Sequence, residues 1–239
     1  LIASLVAALR HGPRDDRVWF LALPALVPIL LFTLVALWAD RVLPHWAAPG
    51  YLMLFPLLGA AVERWLRQGR RWVRGWLWGS AAVLLSLLAV LVSHLATGWG
   101  RLAVPALARR DPLVEAVDWR ALPQALEERG LLDRPGLFAA APSWIQAGKA
   151  DYALGGRLPV LCLSPDPRHF AFLHDPAAFR GQDAVLVVRG GTLAQMRAEY
   201  GAYFAAIEPL ETVSIRQAAA PALTLDLFLA RDFSGSYPV

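Results

Sequence analysis

The sequence predicts two unlike parts: an α-helical membrane bundle over residues 1–100 and a small α/β domain over residues 101–239. Three observations carry this. First, 57% of the 239 residues are hydrophobic with glycine left out, against roughly 45 to 50% for soluble domains with glycine included, and mean hydropathy is +0.44. Second, charge is segregated: residues 1–100 hold nine arginines and four acidic residues, net +5, while residues 101–239 sum to −1. Third, long uncharged runs occur only before residue 100, and eight of the ten tryptophans lie there too. A basic excess confined to the most apolar half points to a membrane surface and away from nucleic acid.

Residues 1–9 are an apolar stub beginning at Leu1 and ending before Arg10. No charged start or cleavage site marks a signal peptide, so the stub reads as the tail of an earlier helix in a longer chain. Residues 18–39 carry no charge; at 1.5 Å per residue they make about 33 Å of helix, enough for a hydrocarbon core of about 30 Å. Residues 42–62 form a weaker second span, interrupted by His45, Pro44, Pro49 and Pro56, whose first third could instead be a surface loop. Residues 76–99 form a third, bracketed by Trp76, Trp78 and Trp99 as headgroup anchors. Arg10, Arg14 and Arg17 precede the first span, and Arg64, Arg67, Arg70, Arg71 and Arg74 precede the third, whereas the connection between the first two holds only Arg41. The positive-inside rule puts the Arg-rich connections in the cytoplasm and residues 101–239 outside, in the periplasm of a Gram-negative cell.

Past Gly100 strands and helices alternate. Residues 111–130 read as one amphipathic helix, with Leu113, Val117, Leu122 and Leu126 on a face and Gly130 as its stop. Residues 137–141 predict a strand, Ser143 caps a helix to about Leu154, and residues 159–163 predict a second strand. A third strand at 183–188, a helix at 192–200 and strands at 211–215 and 222–230 follow. The alternation implies an α/β domain whose first strands are parallel. The single cysteine, Cys162, excludes an internal disulfide and reads as a buried strand residue.

Ligands of open α/β sheets gather beyond the carboxyl ends of the strands, which here are residues 142–144, 164–170 and 189–192. Gly190 and Gly191 before Thr192 could offer N–H groups to a phosphate or simply form a capped turn. Asp166 and Arg168, flanking Pro167, could grip a sugar or a headgroup phosphate or form a solvated pair. Trp144 and Tyr152 are eight residues apart on one helical face, where core packing is the plain expectation. His169 and His174 have the wrong spacing for a metal site. In the membrane half, Arg41, His45 and Trp46 lie where the first span emerges and could line a lipid-linked phosphate or act as interfacial anchors. His94, beside Ser93 and Thr97, reads as a neutral, hydrogen-bonded packing histidine. No nucleophile elbow, P-loop, HExxH or cysteine cluster is present.

The strings PHWAAPGYLMLFPLL (44–58), WIQAGKADYALGGRLPVLCLSPDPRHF (144–170), GQDAVLVV (181–188) and LDLFLARDF (225–233), with the basic connection and the last apolar span, resemble the carboxy-terminal part of bacterial membrane glycosyltransferases. The type is that of dolichyl-phosphate-mannose protein mannosyltransferases and aminoarabinose transferases. That resemblance implies a GT-C fold in the bacterial inner membrane, crossing it several times. It implies transfer of a sugar from a polyprenyl-phosphate donor to a lipid or protein acceptor at the outer face. Such chemistry needs a carboxylate to take the acceptor proton and cations to stabilise the departing phosphate. In the family the carboxylate lies in a first external loop with no counterpart here, so no catalytic residue is assigned and the fragment alone would be inactive. Arg41, His45 and Trp46, with Asp166 and Arg168, are the substrate-binding candidates. No cofactor is evident; the pattern demands no metal, and a divalent ion would draw ligands from elsewhere in the protein. The competing reading is a non-catalytic, membrane-anchored α/β module that binds an envelope polymer or a partner protein.

Overall fold

A computed structural model describes residues 5–6, 16–39, 44–109, 111–218 and 220–237. They fall into two compact units, Leu1–Leu87 and Leu88–Val239, whose division lies inside one continuous helix.

The first unit contains α1 (Asp16–Val35), a 3₁₀ turn (Pro44–Ala47), α2 (Ala48–Met53), α3 (Phe55–Arg67) and the first part of α4 (Arg71–Thr97). Gly50 lets α2 approach α1 closely: a Cβ there would lie 2.6 Å from the carbonyl oxygen of Ala25. Ala22, Ala25 and Leu54 are buried at that crossing. Most other large apolar side chains of α1 and α4 face outward, Val73 being a buried exception; none of the most apolar stretch of α4 is buried. An α-helix that satisfies its own backbone and exposes an apolar surface all round suits hydrocarbon rather than water. Both α1 and α4 are long and apolar enough to cross a membrane.

The second span takes a broken form and the basic loop is corrected. The predicted second span is a bent pair of helices, broken by 44° at residue 54, that is apolar and long enough as a pair for a broken span or a re-entrant loop. Pro56 enters the first turn of α3, where its missing N–H costs nothing, and so starts a new helix rather than continuing the old one. The predicted basic loop is mostly helix: Arg64 and Arg67 end α3, Arg71 and Arg74 begin α4, and only residues 68–70 connect them. Arg67 bonds Glu63 one turn back on α3. The stub at residues 1–9, apart from 5–6, lies outside the described residues, as do Arg10 and Arg14.

The second unit carries the end of α4, two short helices α5 (Trp99–Ala103) and α6 (Pro105–Arg109), and then the α/β domain. Its five strands are β1 (Leu137–Ala141), β2 (Val160–Cys162), β3 (Asp183–Val188), β4 (Phe204–Gln217) and β5 (Ala220–Phe233), in the spatial order β2-β1-β3-β5-β4. The first three are parallel; β5 runs antiparallel to both β3 and β4. On one face Leu137, Ala139, Val160 and Val185 pack against α7 (Ala121–Glu128) and α8 (Trp144–Leu154). On the other, Phe138, Ala140, Leu161 and Leu186 pack against Phe179 and α10 (Leu193–Tyr200). A single turn, α9 (Phe170–Leu173), follows β2. Burial on both faces explains why β1 and β3 read as unbroken apolar runs.

The predicted helix at 111–130 is a further correction. Only Ala121–Glu128 is α-helical; a turn, a 3₁₀ segment (Val114–Ala116) and an extended stretch precede it. The carboxylate of Asp111 accepts the N–H of Leu113 and holds the chain in a turn that a continuous helix would break. The last two strands are each fourteen residues, longer than predicted. Pro209 hid the first half of β4, but β4 is an edge strand, where proline needs no donor partner, and the register shifts beside it.

Candidate functional site

A cavity of about 550 Å³ lies in the second unit at the C-terminal end of α4. Its walls are the last turn of α4 (Leu95, Ala96), residues 116–124 and the end of β4 (Ser214–Ala218). Asp118, Arg120, Gln124 and Gln217 give it polar walls; Asp118 and Arg120 pair at 2.5 Å.

The chain is led there by the stop of α4. Gly98 takes the left-handed conformation at φ 70° and its N–H closes on the carbonyl of His94. A Cβ at Gly98 would meet Ala220 and the Nη1 of Arg101 at 3.0 Å, so the turn also needs glycine for space. Around the turn three ionisable side chains are buried together: His94 before it, and Arg101 and Asp111 after it. His94 Nε2 and Arg101 Nε lie 3.1 and 2.7 Å from the same Asp111 oxygen, Oδ2. Gly100 N–H donates to His94 Nδ1 at 3.1 Å, which assigns the imidazole proton to Nε2, facing Asp111. Burial alone would raise the Asp111 carboxyl; the N–H of Leu113, the hydrogen bond to His94 and the charge of Arg101 together hold it below its ordinary value of 3.8. The Arg101–Asp111 contact is short but not aligned as a hydrogen bond, and Arg101 Nη2 has no hydrogen-bond partner among the described residues.

The cluster is tied to the hairpin end. Arg101 Nη1 donates to Gln217 Oε1 at 2.6 Å, and Gln217 Nε2 donates to the carbonyl of Leu95. A helix end with orphan carbonyls, which lipid would leave unsatisfied, is thereby capped by a side chain 122 residues further on. Asp111, charged and fully engaged, has the character of a structural counter-ion, not of a general base.

Of the carboxyl ends of the parallel strands, the turn that follows β3 is occupied by the protein's own groups. Gly191 N–H donates to Asp226 Oδ2 at 3.0 Å, and Thr212 Oγ1 donates to Asp226 Oδ1 at 2.8 Å. The protein's own carboxylate thus occupies the anion position that the Gly190–Gly191 turn could offer. Thr192 and Gln195 form a reciprocal capping box at the start of α10. The hydroxyl of Tyr200 lies between Leu163 O (3.2 Å) and Glu199 Oε1 (2.9 Å) and ties α10 to the end of β2. Among the described residues no group of three or more His, Cys, Asp or Glu could hold a metal ion.

Of the sequence candidates, Asp166 and Arg168 pair at 2.9 Å on an exposed turn, and the Arg168 guanidinium stacks over the Trp144 ring at 5.1 Å. Trp144 and Tyr152 are not core residues: Tyr152 is 81% exposed. Their shared face is the outer one, because Ala147, Ala150 and Leu154 take the inner face of α8. In the first unit, His45 is exposed, and the Trp46 ring packs on Phe32 at 5.4 Å; Arg41 lies outside the described residues. Cys162 is buried, and its thiol is pushed up to about 11 by burial and by Asp166. His94 is hydrogen-bonded as expected, though to Asp111 and Gly100 rather than across a helix bundle. Sequence reading missed Arg101, Asp111 and Gln217. The one local signal was an arginine two residues past an apolar span, with an acid ten residues later; nothing local pointed to Gln217. No protein-family model, curated protein or solved structure matches the chain.

Proposed function

We propose that this chain is the carboxy-terminal part of an integral-membrane glycosyltransferase. It would move a sugar from a polyprenyl-phosphate donor to a lipid or protein acceptor at the outer face of the bacterial inner membrane. One observation supports this above the rest: a partly polar cavity of about 550 Å³, roomy enough for a sugar phosphate, opens at the end of a helix long enough to span a bilayer. That is the depth at which a lipid-linked sugar presents its headgroup. Arg120 and Gln124 would supply a cation and an amide to it, while the buried cluster holds α4 and the hairpin in register around the cavity. In this reading residues 101–239 are periplasmic, Arg41, His45 and Trp46 line the donor path, and Asp166 and Arg168 contact the acceptor. The catalytic carboxylate would come from elsewhere in the protein.

His45→Ala in the whole protein is expected to lower sugar transfer while membrane insertion is kept; unchanged transfer returns His45 to an anchoring role. The occupied turn after β3 supports a second reading, a membrane-anchored module that binds an envelope polymer or a partner protein without catalysis. Sugar transfer by the whole protein separates the two.

A further inference from the structure

Large hydrophobic side chains are unevenly exposed in the α/β domain. Among the described residues after 111, those exposed are Trp144 (38%), Ile145 (41%), Tyr152, Phe172 (90%) and Leu173 (52%). Four of the five lie just past the carboxyl ends of β1 and β2, on the first turn of α8 and on α9. The two strands are adjacent and parallel, so both segments emerge at one edge. Phe170 is buried and anchors α9, which leaves Phe172 and Leu173 directed outward. Arg168 stacks on Trp144 between them. The opposite edge is polar, with Asp183 bound by both Arg134 and Arg231.

The direction of the apolar edge follows from β4 and β5. The end of β3, Val188, pairs with Asp226. The hairpin continues past it to Gln217 and Ala220, where Gln217 holds the last carbonyls of α4. The carboxyl edge is therefore on the side of the sheet that meets the α4 terminus. Exposed apolar residues also continue from α4 into Trp99, Leu102 and Val104.

We propose that the edge formed by Trp144, Ile145, Phe172 and Leu173 is a second membrane contact, seated in the interfacial layer of the leaflet from which α4 emerges. This rests on the reading of α4 as a membrane span. Tryptophan and arginine suit that layer, the ring at headgroup level and the guanidinium on phosphate. The hairpin overhangs the end of β3 by six residues, about 20 Å along the strands, so seating the edge requires the sheet to incline toward the bilayer. Such a contact would fix the orientation of the cavity over the bilayer without adding a residue to it.

The test uses the chain in lipid bilayers, on a Cys162→Ala background, with an environment-sensitive fluorophore placed by Phe172→Cys, by Gln182→Cys on the opposite edge, or by Leu85→Cys within α4. The expected result is blue-shifted emission at 172 that is lost with nitroxide lipids labelled at the headgroup, lipid quenching at 85, and neither effect at 182. Quenching at 85 with a wet, unquenched label at 172 overturns the edge contact and leaves the span intact. No lipid quenching at 85 overturns both. A dry label at 172 that ignores lipid nitroxides but cross-links to a second copy overturns the proposal in favour of self-association.

Discussion

Asp111→Ala is the most informative single change in this protein. The carboxylate is buried with Arg101 and His94, so its removal leaves a guanidinium in a low-dielectric site without a counter-charge and frees the N–H of Leu113. Breaking a buried pair by removing one partner costs about 3–5 kcal/mol. For a unit of this size 1 kcal/mol moves the midpoint by roughly 2–4 °C, so the α/β domain should melt roughly 6–20 °C lower. The buried Cys162 thiol is a built-in reporter, since a thiol-reactive dye reaches it only when the sheet opens. The double variant Arg101→Leu with Asp111→Ala should regain much of the loss, because it removes the stranded charge as well. A single variant that melts within about 2 °C of the parent, or a double variant no better than the single, would refute the counter-ion reasoning. The pH dependence has a definite sign. The folded carboxyl sits below its ordinary 3.8, so its stabilisation is complete above that value and is lost as pH falls through the lower, folded value. Asp111→Asn should flatten that acid limb.

Three further outcomes follow from the same geometry. Gly100→Ala sets a Cβ 2.8 Å from His94 Nδ1 and should destabilise the joint by about 1–3 kcal/mol as an overpacked contact, read by the same dye; an unshifted midpoint would show the ring is free to move. Asp226→Ala leaves the N–H of Gly191 and the hydroxyl of Thr212 without their acceptor, at about 1–3 kcal/mol, and faster amide exchange at Gly191 would report it. Cys162 should stay unmodified by iodoacetamide at pH 8 in the folded chain, because burial pushes its thiol up to about 11; labelling at the rate of an unfolded control would contradict its burial.

The parts of the fold that local chemistry dictates were legible. Ser143 caps α8 and accepts the N–H of Gln146, Thr192 caps α10, and the apolar runs at 137–141 and 183–188 are strands to the residue. Where distant groups compete, the sequence was silent. Leu113, Val117, Leu122 and Leu126 have helical spacing, yet the Asp111 carboxylate takes a backbone N–H and breaks the helix. Arg101 looks like a boundary charge until Gln217, 116 residues away, accepts its hydrogen bond. The Gly190–Gly191 turn looks open until Asp226 arrives from β5. The candidate site was half visible for the same reason: its α4 wall is an apolar run anyone can read, whereas its hairpin wall exists only through pairing across the sheet.

The central claim, transfer of a lipid-linked sugar, is tested most directly by supplying polyprenyl-phosphate-linked mannose or aminoarabinose, radiolabelled in the sugar, to membranes holding the whole protein. The account predicts label in a lipid or protein acceptor, absent from membranes without the protein. Correct insertion with no transfer from either donor would contradict it and leave the non-catalytic binding module in its place.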